Sequence, residues 1–297
     1  MPTTAEREFL NSFAGATAPR DIAEVRQVMD FVSTAMNKDA PEVGALHEDV
    51  ELRQGLRADI AVPKGAGPFP TVVYLHGGGF VAGSPKSHRK LGLKIADAGF
   101  LTVNVDYRLA PEHPFPAGLE DCVFAVKWAA LHAAKYGGDA SRLAVGGDSA
   151  GANLTAAAFV SLASEDDPGP KPRAALLFYG VYDFPAMIRC SPDVPLTEMF
   201  TKAYTGSGSY PAILEDPRLS PIRAVKPGAM PPAFIVCGGA DALLPESRAF
   251  AEALERAGIE HELHVFDEMP HGFLQMGNLS DCREAERRMF AFLGRVL

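Results

Sequence analysis

Gly147-Asp148-Ser149-Ala150-Gly151 sets a single serine between glycines, directly after the apolar run Leu143-Ala144-Val145. A strand turning sharply into a helix at this point would leave the serine hydroxyl exposed at the turn. Glycine is needed on both sides because a Cβ there would strike the neighbouring strand or helix. With 14 serines and 28 glycines in 297 residues, about 0.12 such matches arise by chance, so the serine carries meaning only if partners exist. A free hydroxyl barely ionises near neutrality and needs a general base to take its proton as it attacks. Histidine suits that task because its pKa lies close to neutral. His271 stands in Asp267-Glu268-Met269-Pro270-His271-Gly272-Phe273, a loop just past an apolar stretch. His261 and His264 fall on or beside that stretch, and His47, His88, His113 and His132 have no such context. A carboxylate should orient the imidazole and stabilise it once charged. Asp241, in Gly238-Gly239-Ala240-Asp241, lies 92 residues after Ser149 and 30 before His271. Glu246 and Asp267 are its rivals. Glu246 is explained by a helix dipole at the start of a helix, and Asp267 by solvation in a loop. His76-Gly77-Gly78-Gly79 offers backbone N–H groups that can approach an oxyanion without side-chain obstruction, and Ala150 N–H adds another. The plain alternative, a flexible turn or an anion loop, lacks the lysine of a phosphate loop.

These residues need elements to carry them. Leu56–Val62 alternates apolar and polar, as a half-exposed antiparallel strand does. Residues 71–75, 101–105, 142–146, 174–179, 233–237 and 261–266 are short apolar runs that read as strands. Helical patterns fall at 88–98, 117–136, from the serine to about 163, at 246–257 and at the carboxyl end. Such alternation predicts a mostly parallel sheet covered on both faces. Ligands of these sheets bind at the carboxyl ends of the strands, where the glycine run, Ser149, Asp241 and His271 would collect. Two stretches break the rhythm. Residues 1–45 are polar and helical in character, with apolar clusters at Phe9, Leu10 and Phe13 and at Ile22, Val25, Met29 and Val32. Residues 182–229 are rich in Pro, Ser and Gly, with scattered Phe and Met.

A chain of 297 residues that is 47% hydrophobic can bury one large α/β core. A net charge of −9 with no basic stripe argues against nucleic acid and anionic membranes as partners. Cys122, Cys190, Cys237 and Cys282 are far apart, which suits buried thiols of a reducing compartment better than a disulfide frame or a zinc site. The amino terminus lacks the order of a signal peptide and no apolar run approaches a membrane span, so a cytoplasmic protein is expected.

Together the motifs resemble the hormone-sensitive-lipase-like carboxylesterases of the α/β-hydrolase superfamily. The likeness covers about residues 70–275 and rests on His76-Gly77-Gly78-Gly79-Phe80, Asp106-Tyr107-Arg108-Leu109-Ala110-Pro111-Glu112-His113-Pro114-Phe115-Pro116-Ala117, Gly146–Gly151 and Pro270-His271-Gly272-Phe273. The chain order Ser, Asp, His is the one α/β-hydrolases use. The resemblance implies an α/β-hydrolase fold, a mostly parallel central sheet with helices on both faces and a helical cap. The cap would comprise residues 1–45 and 182–229, the catalytic domain residues 46–297. It implies Ser149 as nucleophile, His271 as base, Asp241 as its orienting carboxylate, and Gly78, Gly79 and Ala150 as oxyanion donors. Gly77 would shape the turn. It further implies no cofactor or metal, a small-molecule ester of short acyl chain as substrate, and a homodimer as one assembly its members form. Asp148 reads as a turn and support residue. There are departures: Ala152-Asn153 stands where Gly-Asn is frequent, and Pro245 where a second acidic residue is common. An amidase or peptidase on the same triad is the alternative. A non-catalytic receptor is a more distant one, since the gibberellin receptors resembling this family lack the histidine.

Overall fold

The computed structural model describes residues 6, 19–164, 169–206, 208, 210–277 and 279–297. The cluster of Phe9, Leu10 and Phe13 and the acidic stretch 165–168 lie outside the described residues. Strands β1 (Ala45–Arg53), β2 (Leu56–Val62), β3 (Phe69–Leu75), β4 (Leu101–Asp106), β5 (Gly138–Asp148), β6 (Ala174–Phe178), β7 (Ala233–Gly238) and β8 (His261–Phe266) form one sheet in the order β1-β2-β4-β3-β5-β6-β7-β8. From β4 to β8 every neighbouring pair is parallel. β2 runs antiparallel to both β1 and β4.

Helices cover both faces: α1 (Ile22–Met36), α2 (Arg89–Asp97), α3 (Ala117–His132), α4 (Ala150–Ser164), α5 (Phe184–Cys190), α6 (Val194–Thr205), α7 (Leu244–Arg256) and α8 (Ser280–Val296). Successive strand residues point to opposite faces, which divides the core in two. Val73, Leu75 and Val145 share one half with Cys122 and Ala125 of α3, Leu154 and Ala157 of α4 and Phe250 of α7. Val72, Tyr74 and Ala144 share the other with Leu91 and Ile95 of α2 and Ala285, Met289 and Phe292 of α8. Burying each large apolar side chain contributes roughly 1.5–3 kcal/mol, so these faces hold the strand ends in register.

Several elements differ from the sequence-based expectation. β1, Ala-Leu-His-Glu-Asp-Val-Glu-Leu-Arg, is too polar to read as a strand because it lies on the sheet edge with mostly exposed or half-exposed side chains. β2 is buried on both faces rather than half-exposed. α2 covers the second face, where Ala61 packs with Leu93 and Ala96 and the buried Asp59 carboxylate meets Arg89 at 3.2 Å. The helix expected over 117–136 ends at His132 and continues as a 3₁₀ turn to Tyr136. Cys122, Cys237 and Cys282 are buried, but Cys190 is exposed, at the end of α5.

Among its described residues, the irregular stretch 182–229 holds α5, α6 and two 3₁₀ turns. α5 and α6 each begin on an aspartate that accepts a backbone N–H three residues on, Asp183 from Ala186 and Asp193 from Leu196, with proline in the first turn. α1 is also capped by an aspartate, Asp21 accepting Glu24 N–H, but without the proline. Arg26 ties α1 down, donating to Val81 and Ala110 carbonyls at 2.7 and 3.0 Å and to both carboxylate oxygens of Glu112. At the other end, Asn37 donates to Lys86 O and accepts from Lys90 N–H. Both anchor points lie in the segments that follow β3 and β4, so α1 is fixed relative to the strand ends.

Candidate active site

The strand order reverses between β3 and β5, since β4 lies on one side of β3 and β5 on the other. In open α/β sheets a crevice forms at the carboxyl ends beside such a switch point. The loop His76–Gly79 leaves β3 there and Ser149 leaves β5, with Leu75 and Gly147 paired as the strands end.

Ser149 itself holds φ +53°, a left-handed conformation that costs a non-glycine residue energy and that the surroundings must enforce. Its N–H donates to Phe178 O at 2.8 Å, and α4 starts at the next residue. A Cβ on Gly151 would run into the Leu75 carbonyl, and one on Gly147 into the same carbonyl and the Gly151 backbone. The two glycines thus let α4 press against β3 and force the turn. Ala150 N–H, in the first turn of α4, has no acceptor within the helix and lies at the positive end of its dipole. Gly78 and Gly79, at φ +125° and +62°, line the same cavity as Ser149.

Asp241 follows β7 and His271 follows β8. His271 Nε2 lies 2.9 Å from Ser149 Oγ, and its Nδ1 lies 2.9 Å from Asp241 Oδ2. A carboxylate only accepts, so Nδ1 carries the proton and Nε2 is free to accept from the serine hydroxyl. Asp241 is held in turn: Oδ1 accepts Leu243 N–H at 2.8 Å, and Cys237 Sγ donates to Oδ2 at 3.6 Å. Its side chain is 1% exposed while that of His271 is 43% exposed, so the far edge of the imidazole meets the cavity and the carboxylate is shielded from water. Desolvation lowers the His271 pKa, but the hydrogen bond and charge of Asp241, with the charge of Asp148 added, outweigh it and raise the value above that of an ordinary histidine. The Tyr179 ring meets the imidazole edge-on at 5.1 Å.

Above these groups is a cavity of about 700 Å³. Its walls are mostly apolar, with Met29, Val32 and Met36 from α1, Met187 from α5 and Leu196 and Phe200 from α6. The Phe200 ring lies over Gly79, where a Cβ would approach it to 3.2 Å.

Two rivals and one bystander take other places. Asp267 is an exposed turn residue. Glu246 does sit in the first turn of α7, yet it is buried, and its Oε2 accepts the N–H groups of Tyr182 and Asp183 at 2.8 and 2.7 Å. It therefore pins the loop after β6 to the start of α7. Burial raises its pKa more than those two donors lower it. His88, without context in the sequence, is buried in the cavity wall with Nε2 3.4 Å from Asp148 Oδ2. No local pattern marks it, because the contact is made across the fold.

Comparison with known proteins fits this geometry. Residues 72–275 match a family model described as an alpha/beta hydrolase fold. The carboxylic ester hydrolase LipN of Mycobacterium tuberculosis is 37% identical over 253 residues, 79% of this chain and 66% of LipN. The chain belongs to the hormone-sensitive-lipase-like carboxylesterases of the α/β-hydrolase superfamily. As a member, this carboxylesterase is an enzyme of the carboxylic ester hydrolase class. The ethyl acetate hydrolase of Pseudomonas putida is 35% identical over 217 residues, 70% of this chain and 67% of that protein, so the alignments span about two thirds of these curated relatives. A hyperthermophilic esterase from the archaeon Pyrobaculum calidifontis superposes with a TM-score of 0.88 at 30% identity, over 99% of this carboxylesterase and 98% of that chain. No helix among the described residues is long and apolar enough to cross a membrane.

Proposed function

We propose that the chain hydrolyses short-chain acyl esters through a covalent acyl-serine intermediate, without a cofactor. The observation that carries this is the hydrogen-bonded string Asp241–His271–Ser149, with both links at 2.9 Å, on the floor of an apolar cavity. Ser149 Oγ attacks the ester carbonyl as its proton passes to His271 Nε2. The carbonyl oxygen becomes an oxyanion that receives the N–H groups of Gly78, Gly79 and Ala150. Collapse breaks the bond to the alcohol, which leaves with the proton from His271. A water molecule then repeats the sequence on the acyl-enzyme: His271 takes its proton, the hydroxyl adds to the carbonyl, and Ser149 leaves with the proton as the free acid is released. Asp241 holds Nδ1–H throughout and stabilises the imidazolium between the two proton transfers.

Residues 1–45 and 182–229 are the cap in this reading, with 1–5, 7–18, 207 and 209 outside the described residues. Its support is the cavity lining drawn from α1, α5 and α6. A short acyl group is supported by the ethyl acetate hydrolase relative and by Phe200 closing over Gly79. On a series of p-nitrophenyl esters, kcat/KM is expected to peak between acetyl and hexanoyl and to fall for longer chains. A steady rise through dodecanoyl would contradict the short-chain assignment.

The pH profile tests the base. Protonated His271 cannot accept from Ser149, so kcat/KM falls on acidification. Because the His271 pKa is raised, the midpoint should lie above the ordinary histidine value of about 6.5. Initial rates on butyryl ester across the acid range measure it. A rate that stays flat to about pH 4.5, far below any ordinary histidine pKa, would remove His271 from the role.

A further inference from the structure

Asp148 precedes Ser149, yet its carboxylate has no contact with the Asp241–His271 pair that would make it part of that string. It turns beneath the glycine loop and is 3% exposed. Oδ1 accepts the Gly77 N–H at 3.0 Å and the Tyr74 hydroxyl at 2.6 Å. Oδ2 lies 3.4 Å from His88 Nε2. These partners are themselves supported: His88 Nδ1 is 2.8 Å from Ser87 Oγ, and Gln275 Nε2 donates to the Tyr74 hydroxyl at 3.5 Å. Gly77 has to be glycine for the carboxylate to fit, since a Cβ there would lie 2.6 Å from Asp148 Oδ2 and 2.9 Å from Asp148 O.

At its start the loop is also held through His76, whose Nδ1 lies 2.9 Å from Gly77 O and whose buried ring stacks on Tyr107, but neither contact reaches the strand that carries Ser149. Three consecutive glycines leave the backbone wide freedom, and the direction of the N–H groups in Gly78 and Gly79 depends on where residue 77 is held. The loop is pinned further on, where Val81 and Ala82 N–H donate to Gly78 O. On the other side, the Tyr107 hydroxyl donates to His76 O at 2.6 Å. The Asp148–Gly77 bond is the contact that joins this loop to the residue beside Ser149, so one side chain sets the spacing between the nucleophile and the donors.

We propose that Asp148, held by Tyr74 and His88, is a positioning residue for the oxyanion site: through the Gly77 N–H it fixes the two glycine N–H groups that follow relative to Ser149. The proposal rests on the reading of Gly78 and Gly79 as oxyanion donors. It separates Asp148 from the catalytic residues, because it acts only through the loop and through its charge. The charge has a consequence of its own. Burial disfavours the Asp148 carboxylate, but His88 and the Tyr74 hydroxyl more than offset this and keep its pKa below the ordinary carboxylate value. That negative charge adds to the Asp241 charge in raising the His271 pKa. The titratable groups facing Asp148 are Tyr74 at the end of β3, His76 in the loop, His88 before α2, Tyr107 after β4, Tyr179 after β6 and His271 after β8. Burial pushes His76 down to about 3, so it stays neutral while His271 titrates.

Misplaced oxyanion donors weaken the transition state and leave ground-state binding nearly intact. The test compares the wild type with Asp148→Asn, His88→Gln and His88→Leu, by ester kinetics and by binding of an alkyl trifluoromethyl ketone, which adds to the serine as a hemiketal oxyanion. Asp148→Asn is expected to lose about 10²-fold in kcat, the cost of one oxyanion donor, with KM nearly unchanged and ketone affinity falling in step. Its acid midpoint should move to lower pH as the charge raising His271 is lost. His88→Gln, which keeps a donor toward Oδ2, should retain more activity than His88→Leu. Should Asp148→Asn fail to fold, as read by its thermal melt, the His88 pair carries the same comparison. An Asp148→Asn enzyme that folds and binds the ketone as tightly as the wild type overturns the proposal, as do His88→Gln and His88→Leu variants with equal kcat. A wild type that hydrolyses esters but does not bind the ketone as a hemiketal would instead remove the oxyanion reading on which the proposal stands.

Discussion

Ser149→Ala should lower kcat on a chromogenic butyryl ester by about 10⁶-fold, the loss seen when a triad nucleophile is removed. The size follows from the chemistry: without Oγ there is no acyl-enzyme, and only water activated in a site built for a different nucleophile remains. KM should change little, because the apolar cavity and the glycine loop persist. Replacing the hydroxyl of the half-buried Ser149 by hydrogen leaves the strained turn intact, so the protein should fold. His271→Ala should cost about as much, and the double variant hardly more than either alone, because the two groups act as one unit. Steady-state rates on purified variants measure all three. A Ser149→Ala enzyme with wild-type turnover would end the serine mechanism.

Asp241→Asn should lower kcat by about 10⁴-fold, roughly 5.5 kcal/mol of transition-state stabilisation at 1.36 kcal/mol per tenfold. The geometry says why an isosteric change costs so much. Oδ1 accepts from Leu243 N–H at 2.8 Å, so the amide oxygen of Asn would stay there and turn its NH₂ toward His271. Nδ1 would then have to accept, which moves the ring proton to Nε2 and points it at Ser149 Oγ. In that tautomer the imidazole cannot take the serine proton. The lost charge also lowers the His271 pKa, so the acid limb should shift downward as kcat falls. Rates and pH profiles of the variant measure both effects. A loss smaller than about tenfold would mean that Asp241 does not set the tautomer, given what that role is worth elsewhere.

The sequence makes the interior strands easy to find because they are buried on both faces and read as unbroken apolar runs. Residues 71–75, 101–105 and 233–237 all fall inside observed strands. β1 is hidden by the same logic: an edge strand needs no apolar face, and His47, Glu48, Asp49 and Glu51 look like loop. β2 misleads in a different way. Its alternation of apolar and polar residues suggests a wet face, but α2 buries that face and gives Asp59 a charged partner in Arg89.

Ser149, Asp241 and His271 are legible because each follows a strand and carries a local signature of glycine or proline. The structure brings them within hydrogen-bond distance. The buried groups that hold Asp148 and the loop after β6 lack any such mark. His88, Tyr74 and Glu246 act over separations of 60 to 74 residues, where only the folded chain can bring partners together. The wall of the cavity was equally silent. Methionine and phenylalanine in α1, α5 and α6 serve packing and lining alike, and only their position above Ser149 distinguishes the two.

The central claim is a covalent intermediate on Ser149, and it can be caught directly. The enzyme is mixed with excess p-nitrophenyl butyrate, quenched in acid during turnover, digested, and its peptides weighed. The account predicts a butyryl group on the peptide that contains Ser149, formed together with a burst of nitrophenolate no larger than one equivalent of enzyme, and absent from Ser149→Ala. Turnover with no acylated peptide, or with the butyryl group on another residue, would contradict it.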